Sequence, residues 1–333
     1  MAGLRFSSLL PSRALLPVLA AGLGICTFSL MDALMKSASL MVGVYVALFW
    51  RCALGGGIAL AMWRPSRADW PDGARMKLHV ARSVVVAGMA YLFFWGLVRT
   101  PMAVGMALCF IAPLIALYLA ALFLGEKVTR RALGASLLGL VGVAVIGAGR
   151  LGVGGAGVPA SADTLWGMLA ILGSAVLYAA NLVLQRYQAQ QTAPAEIAFF
   201  QGVLIALILA PGAFWIDLWP PMRAWPLVAG AAVLATTSLA LLAWGWARAP
   251  AHRLLPVEYT AFIWSAVVGR LWFGEAVAPA TLGGVVLIVA ACWLGLRQGA
   301  DPAADSAAQH APNGAASDAP HALPAAHIEQ LGL

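Results

Sequence analysis

Charge is what this chain of 333 residues has least of: Asp, Glu, Lys and Arg make up 10% of it, against about 25% in an ordinary soluble domain. So few charges cannot keep a core of this size in solution. That excludes a disordered chain, a nucleic-acid-binding domain and a cytosolic enzyme. Cysteine is scarce too. Cys26, Cys52, Cys109 and Cys292 lie far apart in apolar runs, with no CxxC and no Cys/His pair. They read as small apolar residues, with neither disulfide nor metal expected. GxSxG and HExxH are missing, as is the aspartate cluster that would hold magnesium pyrophosphate in a membrane prenyltransferase. Gly152-Val-Gly154-Gly-Ala-Gly157 matches GxGxxG, but it follows an apolar helix instead of a strand and lacks the acidic residue of a βαβ unit. It reads as a connector.

What is abundant is apolar surface. Hydrophobic residues make up 62% of the chain, and the mean hydropathy is +0.88. The solvent for most of this chain is lipid. The apolar runs are continuous, not alternating, which excludes a membrane β-barrel. Ten runs are predicted to be helices: 15–35, 40–63, 78–98, 102–124, 132–148, 165–184, 195–216, 227–247, 254–274 and 282–296. The first is too long for a cleaved signal peptide and lacks a clear cleavage site. Residues 298–333, rich in Ala, Pro, Asp and Ser, are predicted to form a disordered tail. Its three histidines read as solvated.

The net charge of +7 fits basic cytoplasmic loops better than a nucleic-acid partner. With the N-terminus inside, fourteen Lys and Arg residues fall on the inner side, Arg82 among them. Lys36, Arg99, Arg150 and Arg223 fall outside, and Arg51 and Arg270 within spans. The expectation is a multi-pass inner-membrane protein with both termini cytoplasmic.

The chain also repeats itself. A shift of 149 residues aligns Leu122-Phe-Leu-Gly-Glu126 with Leu271-Trp-Phe-Gly-Glu275 and Leu133-Gly134 with Leu282-Gly283; a shift of 150 aligns Phe49-Trp50-Arg51 with Phe199-Phe200-Gln201. Five spans per copy is odd, so the second copy enters the membrane upside down. Inverted repeats characterise secondary transporters, whose substrate sites lie near the midplane between the halves. The expected fold class is therefore an all-α integral membrane protein with ten transmembrane helices in two inverted five-helix repeats. The repeats span 1–149 and 164–297, joined by a loop at 150–163.

Here a family resemblance emerges. Phe110-Ile-Ala-Pro113-Leu, Leu122-Phe-Leu-Gly125-Glu126-Lys-Val, Leu133-Gly134, Gly139-Leu-Val-Gly142, Pro256-Val-Glu258-Tyr259-Thr and Phe273-Gly274-Glu275 resemble the EamA family of the drug/metabolite transporter superfamily. The resemblance covers about residues 12–297. It implies alternating-access export or uptake of small metabolites, amino acids and related compounds leading the list. One departure is Phe262, which stands where the first copy has Pro113.

Arg51 is the sharpest candidate, because a cation in mid-span costs about 2.5–3.5 kcal/mol on insertion scales. It can bind a carboxylate or phosphate in bidentate fashion, or serve as a structural ion pair or carbonyl cap. Its repeat mate is the neutral Gln201. Asp32, near the outer end of the first span, and Glu258 and Glu196, near the inner ends of the ninth and seventh, are candidates for a substrate amine or a coupling proton. Helix-start placement offers Glu196 and Glu258 a plainer role. Glu126 and Glu275, each ending a span, read as structural. Tyr178, Asn181, Tyr259, Trp264, Ser265, Trp50, Tyr91 and Trp95 are candidate cavity contacts, or anchors at the bilayer surface. Pro113 frees a helical carbonyl and is a candidate hinge or backbone acceptor.

The expected function is secondary transport of a small-molecule substrate across the lipid bilayer, without a cofactor and with proton coupling as one route of energisation. The alternatives are a membrane-embedded enzyme acting on a lipid-borne substrate, which would need acids or histidines clustered on neighbouring spans, and a passive channel, which would need a continuous polar pore. Oligomeric state has no signature in the sequence.

Overall fold

The computed structural model describes residues 15–63, 70–124, 130–150, 161–189, 192–248, 254 and 257–296. Glu126, the GxGxxG stretch, His252 and the C-terminal tail lie outside them. Among the described residues there are eleven α-helices and no strand. They are α1 (Leu16–Val42), α2 (Val44–Trp63), α3 (Gly73–Leu97), α4 (Met102–Cys109), α5 (Ala112–Leu124), α6 (Arg130–Arg150), α7 (Ala162–Ala189), α8 (Pro194–Leu209), α9 (Trp225–Trp246), α10 (Thr260–Phe273) and α11 (Pro279–Leu296). By length and composition, α1, α2, α3, α7, α8 with its 3₁₀ continuation, and α9 suffice to cross a membrane; shorter apolar helical stretches run over 102–116, 133–149, 260–273 and 279–294. Exposed leucines such as Leu133, Leu137 and Leu140 recur at helical spacing on α6, an outward stripe that suits lipid and not water.

Three boundaries differ from the sequence reading. The first span does not end near residue 35. α1 continues to Val42 and is separated from α2 only by Gly43, whose φ of 82° makes the reversal. A residue with a Cβ adopts that conformation at a cost. The run 102–124 is two helices, broken at Phe110-Ile111. Pro113 has no N–H to give Cys109 O, so it sits in the first turn of α5, where none is needed. The run 195–216 stops being α-helical at Leu209 and tightens into a 3₁₀ turn over Ala210–Phe214 that contains Pro211.

The helices pack as α1 along α9, α3 along α7, α2 along α8 and α6 along α11. Each of the two buried clusters of apolar side chains draws on elements from both ends of the chain. One joins α1, α2 and α3 to α8 and α9; the other joins α4, α5 and α6 to α7, α10 and α11. Between helices in lipid, association rests on van der Waals contact, so small residues mark the crossings. A Cβ on Gly202 of α8 would lie 2.7 Å from Gly56 Cα and 2.8 Å from Gly56 N on α2. No flexible side chain is available to move aside there. Gly202→Val is therefore expected to abolish the monodisperse folded peak in detergent size-exclusion chromatography. Gly55→Ala, with nothing within 4 Å of its added Cβ, should leave the peak intact.

Candidate functional site

Two buried polar clusters and one unsatisfied pair of opposite charges stand out from the apolar interior. The first cluster lies where α1 and α3 finish and α4 begins. Lys36, assigned to an outer loop in the sequence reading, is instead buried on α1. Its Nζ donates to Glu275 Oε1 at 2.5 Å and to Thr100 O at 2.8 Å, and lies 4.9 Å from the Phe273 ring centroid. Glu275 Oε2 accepts from Met102 N at 2.7 Å, at the N-terminus of α4, where a helix favours negative charge. The chain reaches this position because Gly274 takes φ 67° as the left-handed cap of α10, with Glu275 N donating to Gly269 O. One carboxylate thus ties α1, the start of α4 and the end of α10 together.

The second cluster lies where α3 begins, α7 finishes and α8 begins. Arg82, counted on the inner side in the sequence reading, is buried on α3 with His79. Its Nε donates to Asn181 Oδ1 at 2.9 Å and its NH1 to Gln188 Oε1 at 2.6 Å. Gln188 Nε2 lies 2.8 Å from His79 Nδ1, and His79 Nε2 lies 3.2 Å from Glu196 Oε1. One tautomer satisfies every contact: a neutral His79 accepts from Gln188 at Nδ1 and donates to Glu196 from Nε2. The result is a chain of donors from the Arg82 cation to the Glu196 carboxylate. Glu196 does start a helix, in the first turn of α8 as its position in the sequence suggests, but it is buried and not interfacial. It is the acceptor end of a buried chain that runs from Arg82 through two neutral side chains, Gln188 and His79. His79 and Thr100 lie near opposite ends of α3, so the clusters are on the order of 30 Å apart along the bundle.

Between them lie Asp32 and Arg51. Asp32 is ten residues from the end of α1, deeper than the sequence reading put it, and is 1% exposed. Neither of its carboxylate oxygens has a hydrogen-bond partner among the described residues. Arg51, half-buried on α2, donates from NH2 to Cys52 Sγ at 3.4 Å, while its Nε has no partner. Asp32 is within electrostatic reach of Arg51 and of Cys109, at the helix break.

The other candidates separate. Trp50 donates to Leu218 O at 2.5 Å and packs edge-on against Trp219 and Trp225. Trp95 carries the Arg99 guanidinium 3.6 Å above its ring, and Arg99 in turn pairs with Asp163 at 2.9 Å. Both tryptophans thus have structural partners at the Lys36 end. Asn181 belongs to the Arg82 cluster. Tyr259 lies edge-on to Phe110 and is hydrogen-bonded to Cys292, whose Sγ donates to Phe110 O at 3.1 Å. That carbonyl is freed by the break that precedes Pro113. Tyr178, within electrostatic reach of Glu258 and Cys109, and Trp264 are each more than a third exposed. Gln201 is half-buried beside the Gly56–Gly202 crossing. Arg270, assigned to a span interior, is exposed in the last turn of α10 and donates to Gly274 O.

The sequence reading missed Lys36, His79, Arg82, Thr100 and Gln188. A signal existed. Lys36 falls in an apolar stretch that runs on past it, and His79 and Arg82 are three apart on a helix face that continues through Ser83, Val86, Ala87 and Ala90.

These features define a polytopic helical membrane protein with charges held between its spans. The sequence pattern of the EamA-like transporter family matches residues 15–148 and again residues 165–297. The chain belongs to that family: it is a multi-pass inner-membrane transporter of the drug/metabolite transporter type. The pseudopaline exporter CntI of Pseudomonas aeruginosa (strain UCBPP-PA14) is 28% identical over 287 residues, covering 85% of this chain and 95% of that protein. A probable terminal-alkyne amino-acid exporter of Streptantibioticus cattleyicolor is 27% identical over 242 residues, covering 71% of this chain and 76% of that one. A solved crystal structure aligns with a TM-score of 0.58 at 21% identity, covering 86% of this chain and 99% of that chain; this is a likeness of fold.

Proposed function

We propose that the protein is an alternating-access carrier that exports small, carboxylate-bearing metabolites of the amino-acid kind, with Arg51 as the anion-binding group. The observation that carries this reading is the state of Arg51: a guanidinium in a membrane-spanning helix that, among the described residues, donates from NH2 to a thiol and has no partner for its Nε. A cation held there without a carboxylate bonded to it is suited to receiving one from a ligand. The names of the two relatives, both exporters, support direction and substrate kind.

Ten spans in two inverted halves, both termini cytoplasmic, is the arrangement we infer. Exchanging the halves maps the pair α1–α9 onto α7–α3 and leaves α2–α8 and α6–α11 each mapped onto itself, which matches the packing observed. The clusters at opposite ends of the bundle supply what alternating access requires, a closure for each side. With that orientation the Lys36–Glu275 pair closes the outer side and the Arg82–Glu196 chain the inner side. A substrate or proton gradient drives the cycle.

The test is counterflow of a labelled amino-acid and metabolite panel in proteoliposomes, wild type beside Arg51→Ala. Wild-type counterflow that falls at least about a hundredfold in the variant, the scale of a lost charge-assisted bidentate contact, is expected. Equal counterflow by the two proteins would remove Arg51 from the site.

A further inference from the structure

A second ionisable group lies at the centre of the bundle. Asp32 is buried, and among the described residues neither of its oxygens has a hydrogen-bond partner. The residue a helix would normally set against it, Lys36 at i+4, is committed to Glu275 and Thr100 O instead. Ser29, one turn earlier, is buried as well, and its hydroxyl also has no partner. Arg51 is within electrostatic reach of Asp32, but among the described residues each keeps polar atoms without partners and no hydrogen bond joins the two. A buried carboxyl group left without partners is destabilising. It persists where a ligand completes it.

From this geometry we infer that Asp32 is the ammonium-binding half of the substrate site, so that the carrier selects metabolites bearing an amine beside a carboxylate. This rests on the reading of Arg51 as the carboxylate-binding half. A simple anion drawn to Arg51 is repelled by Asp32, and a simple cation drawn to Asp32 is repelled by Arg51. A zwitterion satisfies both, and it supplies the N–H donors that Asp32 lacks. Rejection then falls on analogues without the amine, because they leave a buried acceptor unpaired.

The experiment uses the full-length chain in proteoliposomes. Each L-amino acid that the wild type exchanges is paired with its 2-hydroxy acid, in which a hydroxyl replaces the amine and the carboxylate is kept. At subsaturating concentration the wild type is expected to favour the amino acid by about tenfold or more. Asp32→Asn should narrow that preference to within about twofold while the hydroxy acid is still exchanged. Its thermal stability in detergent should equal or exceed that of the wild type, because the carboxyl replaced has no hydrogen bond among the described residues to lose; a purely structural Asp32 predicts a loss. Asp32→Glu, which keeps the carboxylate, should retain the preference. A wild type indifferent to the amine overturns the inference without recourse to any variant, and so does an Asp32→Asn protein that keeps the preference. Failure of the underlying reading looks different: the wild type exchanges neither class of probe, or Arg51→Ala exchanges both as well as the wild type does.

Discussion

Arg82→Leu is expected to destabilise the protein by about 3–5 kcal/mol, the range for removing one partner of a buried ionic network. Arg82 is the buried cation of its cluster, with the half-exposed Arg75 within electrostatic reach of His79, and it donates to two side chains at once. Without it Asn181 and Gln188 each lose a donor, Gln188 loses its orientation toward His79, and the buried Glu196 loses the cation at the head of its hydrogen-bond chain. Arg82→Lys should recover only part of the loss, because an ammonium on a flexible stem cannot reproduce the forked contact to Asn181 and Gln188. The measurement is the midpoint of thermal unfolding in detergent for the three proteins. Equal midpoints for wild type and Arg82→Leu would mean that the cluster is hydrated and contributes nothing. Because the cluster joins α3 to α7 and α8, its loss is also expected to raise labelling of a cysteine introduced near Gln188 from the side on which α3 begins.

Removing one partner of the Lys36–Glu275 pair carries the second large effect, and removing both a smaller one. Glu275→Gln keeps an acceptor for Met102 N but leaves the Lys36 cation buried against Phe273 with only Thr100 O. Lys36→Met leaves the carboxylate with the α4 amide alone. Each single change is expected to cost about 3–5 kcal/mol. In the double variant neither charge remains, so the combined loss should fall short of the sum by about 1 kcal/mol or more, a coupling of the size found for groups in direct contact. A double-mutant cycle on the same unfolding midpoints reads this directly, and additive losses would show that the two groups act separately. The cycle also bears on transport. If this pair holds one side shut, the variants should shift the carrier toward the conformation open on that side, changing the ratio of external to internal apparent affinity while the Arg82 variants shift it the other way.

The membrane setting, the helical class and the repeated family pattern were all legible in the sequence, because each depends on local composition and short-range spacing. Low charge and continuous apolar runs dictate lipid as the solvent. Pro113 forbids an unbroken helix through Cys109, though the sequence alone suggested a kink in one helix and not two separate helices. Gly274-Glu275 announced a helix end, and the shift of 149 residues announced a second copy. The charged residues were harder to place. Arg51 and Asp32 were recognisable, since a charge isolated inside an apolar run is too costly in lipid to be kept without a use. Lys36 was not, because a basic residue just past the end of a run looks like a loop residue until the true helix limit is known: α1 reaches Val42, and those extra residues move Lys36 into the bundle. Arg82 fell inside a predicted run but near its start, where a basic residue reads as an inner-surface charge. Partners separated by 239 residues, as Lys36 and Glu275 are, or by 117, as His79 and Glu196 are, leave no mark on local sequence. By itself, then, the sequence determined which solvent the chain lives in, where it coils and which family pattern it carries. Only the tertiary structure decided which charges meet one another and that Asp32 and Arg51 keep polar atoms without a hydrogen-bond partner among the described residues, because pairing depends on which helices cross and where their glycines let them touch.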